Sequence, residues 1–249
     1  MAAAALMLLL LGGWEAIVRA GVVDPLLLPA PTQVLSALWH DRGVLAPDLG
    51  ITVWEVVVGL AAAIALGVVL ALAMHLFPPV RSALRPLVIG SQAVPMPVLA
   101  PVVVLALGFG LAPKVLMVAL VCFFPITVNV YDGLVRDVDS DARKVLRALD
   151  ATRWQTLRLL EAPAALPAAF TGMRVAAAVA VIGAVFGEWA GSDRGLGHSV
   201  LTANAQLETP RAFAATLLLF LLAIAVYGAF ALLERRVVAW APRRPAVRR

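Results

Sequence analysis

This sequence is short of charge. Asp, Glu, Lys and Arg make up 14% of its 249 residues, against about 25% in ordinary soluble chains. Hydrophobic residues make up 62%, against about 45–50%, and the mean hydropathy is +0.95. A soluble chain of this length would leave much of that apolar surface in water, so the solvent that fits is a bilayer. Cysteine is nearly absent: Cys122 is the single one, inside an apolar run, which excludes an intramolecular disulfide framework and any multi-cysteine zinc site. Lysine is limited to Lys114 and Lys144, and neither follows a glycine. A Walker A loop needs a Gly-Lys pair to cradle phosphates, so this chain is not itself a P-loop ATPase. No paired His and Glu, Ser-His-Asp set or metal-ligand spacing is visible, which leaves a membrane-embedded enzyme without residues for its chemistry.

What is present is a series of long uncharged runs. A spanning helix needs roughly 20 apolar residues, and residues 56–77 and 212–233 supply two clean cases. Residues 86–113 form a longer uncharged stretch carrying Pro95, Pro97 and Pro101. It reads as a span over about 87–112, kinked or tilted and with a non-helical end whose freed backbone groups face protein or a cavity. Residues 115–131, interrupted by Pro125, and 175–190, with Glu188 near the end, give two more. Residues 1–18 complete the set. No Lys or Arg precedes Arg19, so the basic start of a cleaved signal peptide is missing and the segment reads as a first span. The expectation is an all-α integral membrane protein of about six spans, a single transmembrane domain over 1–249.

Six spans put both termini on one side, and the basic residues test that arrangement. The tail carries Arg235, Arg236, Arg243, Arg244, Arg248 and Arg249; residues 132–174 carry seven basic residues; Arg81 and Arg85 lie between the second and third spans. That places fifteen on one side against five on the other: Arg19, Arg42, Lys114, Arg194 and Arg211. Basic residues collect on the cytoplasmic side of membrane proteins, so both ends are expected in the cytoplasm. The net charge of +5 then needs no nucleic acid, because the basic residues flank spans rather than forming an aromatic-interleaved patch. Trp14, Trp54, Trp189 and Trp240 fall near span ends, as interfacial aromatics do.

The connection over 132–174 differs from the others in being long and helix-prone. Residues 143–149 read as a short helix, broken at Asp150-Ala-Thr. Thr152 followed by Gln155 is a capping box that starts a new helix, with Trp154, Leu157 and Leu160 on one face, and Pro163 and Pro167 are expected to end it. Such a helix can simply lie in the membrane interface. It can also dock a cytoplasmic partner, with Trp154 and Leu157 as apolar anchors and Arg153 and Arg158 as rim, since aromatic and Arg side chains are over-represented among residues that carry binding energy.

From Leu149 through Ala176 the sequence resembles the cytoplasmic EAA loop of bacterial ABC importer permeases, nearest the nitrate, sulfonate and taurine branch. Aligned on Pro163, the aliphatic position of that pattern falls on Leu160, its glycine on Asp150 and its Glu-Ala-Ala on Lys144-Val145-Leu146. The proline and the aliphatic match; the glycine and the Glu-Ala-Ala do not. The resemblance runs over nearly the whole chain. Leu28-Pro-Ala-Pro-Thr-Gln-Val-Leu resembles the family's Leu-Pro-Ser-Pro segment, and Ser91-Gln-Ala-Val-Pro-Met-Pro-Val-Leu-Ala-Pro with Leu107-Gly-Phe-Gly resembles its proline-broken third span. Gly187-Glu-Trp and Gly195-Leu-Gly resemble the end of the fifth span and the loop after it. The resemblance implies the type I importer permease fold in a bacterial inner membrane. It also implies cytoplasmic ABC ATPase subunits, a second permease copy (a homodimer) and an extracytoplasmic substrate-binding protein. ATP and Mg would then sit on the partner ATPase and no cofactor on this chain. Carried over residue by residue, the coupling segment is Asp150, Ala151, Thr152, Arg153, Trp154, Gln155, Leu157 and Arg158. The solute implied is a sulfonate-, taurine- or nitrate-like anion, or a hydroxymethylpyrimidine-type thiamine precursor or riboflavin as in close relatives. Residues 118–133 and Gly187-Glu-Trp are more similar to the pyrimidine-precursor relatives.

Polar groups inside spans are costly, and each asks for a role. Gln92, Pro95, Pro97, Asn129 and Glu188 are the candidates for the translocation pathway. Gln92 has an interhelical bond as its structural alternative, Asn129 a bond to a neighbouring helix, and Glu188 the place of a satisfied carboxylate snorkelling to the interface. Glu55, beside Trp54, reads as interfacial. His75 has no acidic or Cys neighbour in sequence, which argues against a metal. Gly59 and Gly67 read as close helix packing. A self-contained secondary transporter is the alternative function, but such carriers commonly show internal repeats and intramembrane charges, and neither is evident here.

Overall fold

The computed structural model describes residues 2–24 and 26–240. Met1 of the first expected span and the tail arginines 243, 244, 248 and 249 lie outside the described residues. Among the described residues every regular element is helical. In chain order they are α1 (Ala2–Arg19), α2 (Pro31–His40), α3 (Arg42–Leu76), α4 (Pro78–Gly90), a 3-10 turn (Ser91–Ala93), α5 (Met96–Leu107), α6 (Leu111–Arg136), α7 (Ser140–Ala148), α8 (Arg153–Thr156), a π turn (Leu157–Glu161), α9 (Ala162–Gly191), α10 (Leu196–Ala205) and α11 (Thr209–Val237).

Among the described residues, four helical stretches are long and apolar enough to cross a membrane: Arg42–Leu76, Leu111–Arg136, Arg153–Gly191 and Thr209–Val237. The third expected span is not one helix. Pro78–Ala93 and Met96–Leu107 meet at a bend of 106°, because Pro95 lacks a backbone N–H and pushes the preceding residue out of the helical region, while Pro97 falls in the first turn of α5, where its missing N–H costs nothing. Val94, before Pro95, is extended at ψ 121°.

The fifth expected span and its connection also need correction. Helix runs from Arg153 to Gly191 with only a π turn between α8 and α9, so residues 153–174 are not loop and the prolines do not end the helix. Pro163 cannot donate to the turn before it and its ring crowds a carbonyl there. The wider π turn at Leu157–Glu161 lies at that place, where regular i→i−4 bonding is the arrangement the proline forbids. Helix α6 likewise begins at Leu111, with Pro113 in its first turn, where a missing N–H costs nothing.

The chain divides into two compact units. The first holds Met1–Val58, Met96–Met117 and Val181–Leu222, and the second Gly59–Pro95, Val118–Ala180 and Ala223–Arg249. In the first, Ala100, Val103 and Met117 form a buried cluster with Met96, Leu99, Phe186 and Ala190 packed against it. In the second, glycines let helices approach, as expected of Gly59 and Gly67. A Cβ on Gly59 would collide with Val118, one on Gly67 would lie 2.8 Å from Ile126 Cγ2, and one on Gly172 2.7 Å from the Pro125 carbonyl.

Candidate functional site

The segment from Asp139 to Arg158 is built by local signals that can be followed bond by bond. Asp139 caps α7 by accepting from the Asp141 N–H at 2.8 Å. At the other end of α7, the Ala151 N–H donates to the Leu146 carbonyl at 3.0 Å and the Asp150 N–H to that of Arg147 at 3.1 Å. This pair of bonds is a Schellman motif, whose pivot takes a left-handed backbone. Asp150 is that pivot, with φ of 52°. The family pattern has glycine here, and Asp is among the few other residues that visit this region routinely. Two residues on, Thr152 Oγ1 accepts from the Gln155 N–H at 3.2 Å and the Thr152 N–H donates to Gln155 Oε1 at 2.8 Å, which is the capping box read from sequence.

The product is a tight knuckle that presents Trp154 at 63% exposure, flanked by exposed Arg153, Gln155 and Arg158. Leu149 and Leu159 are exposed as well. Leu157 is not available as the second anchor: it is buried inside this chain, and Thr156 beside it bonds the Thr152 carbonyl. Behind the knuckle stands Glu161, the last residue of the π turn. Its Oε2 lies 2.7 Å from His75 Nε2, and its Oε1 accepts from Arg143 Nη2 at 2.8 Å. One carboxylate thereby ties the start of α9 to the end of α3 and to α7. Sequence reading missed this link because His75 and Glu161 are 86 positions apart.

The first unit holds a different polar cluster. Glu188 is fully buried, accepting from Thr52 Oγ1 at 2.7 Å and from the N–H groups of Gly197 at 2.5 Å and His198 at 3.3 Å. Those two N–H groups belong to the first turn of α10, so the carboxylate caps that helix and meets the positive end of its dipole. Trp189 Nε1 donates to the Gly197 carbonyl at 2.9 Å. Gly195, at φ of 110°, takes a backbone that L side chains rarely adopt, and a Cβ there would run into the Glu188 carboxyl. Next to this lock, Lys114 Nζ donates to Glu55 Oε1 at 2.6 Å and to Ser192 Oγ at 2.7 Å, and Ser199 donates to Asp48. Glu188 and Glu55 are therefore not interfacial carboxylates. Burial of the uncharged spans around them leaves each a fixed internal donor instead of water.

The other expected pathway residues are placed as follows. Gln92 is exposed in the 3-10 turn, and its amide reaches only Ser91 Oγ, at 3.4 Å, rather than another helix. Pro95 and Pro97 are exposed at the bend. Asn129 donates to the Pro125 carbonyl of its own helix at 2.7 Å, not to a neighbour, because a carbonyl one turn back is the nearest acceptor on α6.

Residues 63–239 match the family described as "Binding-protein-dependent transport system inner membrane component". The formylaminopyrimidine transport permease protein ThiX of Halalkalibacterium halodurans is 36% identical over 94% of this chain and 93% of its own length. The taurine transport system permease protein TauC of Escherichia coli is 29% identical over 93% of this chain and 86% of its own. A crystal structure of an amino acid ABC transporter with histidines superposes with a TM-score of 0.66 at 13% identity, covering 80% of this chain and 97% of that one, which speaks to the fold alone.

Proposed function

This chain belongs to the family of inner membrane components of binding-protein-dependent transport systems, and from that premise we propose that its knuckle at Asp150–Arg158 is where an ATPase subunit couples to it. The family makes the chain the multi-pass permease subunit of an ABC importer. In the proposal, two copies form the pathway, both termini lie in the cytoplasm, and ATP is hydrolysed on the partner. Closure of the ATPase dimer would move the two knuckles together and bias the pathway between its two open states.

The observation that carries the reading is Trp154. An indole exposed at 63% on a doubly capped turn, ringed by Arg153 and Arg158, is held ready for a partner at no further ordering cost. Of the residues expected on the pathway, Gln92, Pro95 and Pro97 keep exposed side chains and stay in the proposal. Asn129 stays as well, since only its Nδ2 is engaged and the residue is half-buried, whereas Glu188 leaves it, because it is fully buried and both its oxygens accept bonds within the protein.

For the solute we propose a thiamine-precursor pyrimidine, supported by the likeness to the formylaminopyrimidine permease over nearly the full length of both chains. The first test is co-purification: Trp154→Asp should lose the ATPase while inserting normally, and an unchanged yield of ATPase would sink the docking assignment. ATP-driven uptake by the reconstituted importer then tests the solute. Formylaminopyrimidine should be carried; uptake of taurine instead would move the chain to the sulfonate branch.

A further inference from the structure

A cavity of about 510 Å³ opens in the second unit, and arginine dominates its wall. Arg81 comes from α4, Arg143 and Arg147 from α7 and Arg153 from α8, with His75 and Leu76 from the end of α3. Glu161 is the one carboxylate in this lining, and Arg143 and His75 already hold it. Three further guanidiniums thus share a cavity whose walls offer no second carboxylate.

Like charges gathered in this way ask for an anion, and the guanidinium fork matches phosphate oxygens bidentately. The position narrows the source. Leu76 and the exposed Val135 supply apolar rim, and Phe77, at 57% exposure, follows directly. The cavity therefore lies where a long uncharged run ends, on the side that the basic residues assign to the cytoplasm. A free ion would use only the arginines, whereas a lipid would use the arginines for its headgroup and the rim for its glycerol and acyl carbons.

We propose that this cavity binds a phosphate group, delivered as the headgroup of an anionic phospholipid of the cytoplasmic leaflet. The cavity shares Arg153 with the coupling segment, whereas Arg81 and Arg147, which the test changes, lie outside it.

The test uses the full-length permease in nanodiscs of phosphatidylcholine alone or mixed with phosphatidylglycerol, with native mass spectrometry reading the lipid that stays bound. Wild-type protein should retain phosphatidylglycerol in preference to phosphatidylcholine. Arg81→Gln with Arg147→Gln should weaken that retention about 30-fold, the loss expected of two charges near the surface. If the pair does not fold, Arg147→Gln alone, on the exposed side of α7, should cost about 5-fold. Equal retention by wild type and variant, or no preference between the two lipids, overturns the proposal. Inorganic phosphate displacing the lipid at matching concentration would assign the free ion instead. Loss of the lipid on adding the ATPase subunit would give the cavity to an acidic side chain of that partner. Either result overturns the lipid assignment.

Discussion

Glu161 and Glu188 lie on the same helical stretch, Arg153–Gly191, and are both buried, yet they serve opposite kinds of region. Around Glu188 everything polar is enclosed: Thr52, the first turn of α10 and Gly195 close on the carboxylate, and no side chain other than one hydrogen fits at 195. Around Glu161 the interior bonds end at a surface, where Trp154, Arg153 and Arg158 stand free of the chain that positions them. The difference teaches how to separate architecture from recognition in a membrane protein. A buried, bonded carboxylate such as Glu188 holds the fold, and on the docking proposal the exposed Trp154, set on a capped turn, is the part left for a partner.

Breaking the lock should do the most damage. Glu188→Ala leaves the Gly197 and His198 N–H groups without their acceptor and reduces the Thr52 hydroxyl to its longer bond to the Asp48 carbonyl, each lost partner a penalty of about 1–3 kcal/mol, so a loss on the order of 4 kcal/mol is expected. It should appear as a lower unfolding temperature and lower membrane yield, with the ATPase still bound by whatever permease folds. Gly195→Ala comes next. A non-glycine residue in such a backbone costs roughly 1–3 kcal/mol, and the Glu188 carboxyl must also shift, so thermal unfolding should fall without any change in what the knuckle binds. The smallest effect belongs to the other region. Asp150→Gly restores the glycine of the family pattern at φ of 52°, where glycine pays no steric cost. A gain of under about 1 kcal/mol is expected, with ATPase co-purification unchanged. A large loss there would mean that the Asp150 side chain itself contacts the partner.

Much of the second region was legible in sequence because its determinants are local. The capping box at Thr152 and Gln155, the break at Asp150 and the apolar runs are all encoded within a few residues. What stayed hidden depended on distance along the chain. Glu55 meets Lys114, Thr52 meets Glu188 and His75 meets Glu161 across 59, 136 and 86 positions, and no periodicity reports such pairings. The prolines misled in both directions. Pro95 bends the chain more sharply than a kinked span, while Pro163 and Pro167 sit inside a continuous helical stretch, Pro163 directly after a π turn. Gly187-Glu-Trp and Gly195-Leu-Gly were recognisable as motifs, but their purpose, a carboxylate capping α10, needed the fold.

The central claim is that residues 150–158 are covered by an ATPase in the assembled importer. Cys122 is the single cysteine and is buried, so Arg158→Cys places one accessible thiol at the edge of the knuckle. Its reaction with a water-soluble maleimide should be fast in the isolated permease and strongly slowed in the complex with its ATPase. Equal labelling rates in the two states would contradict the account.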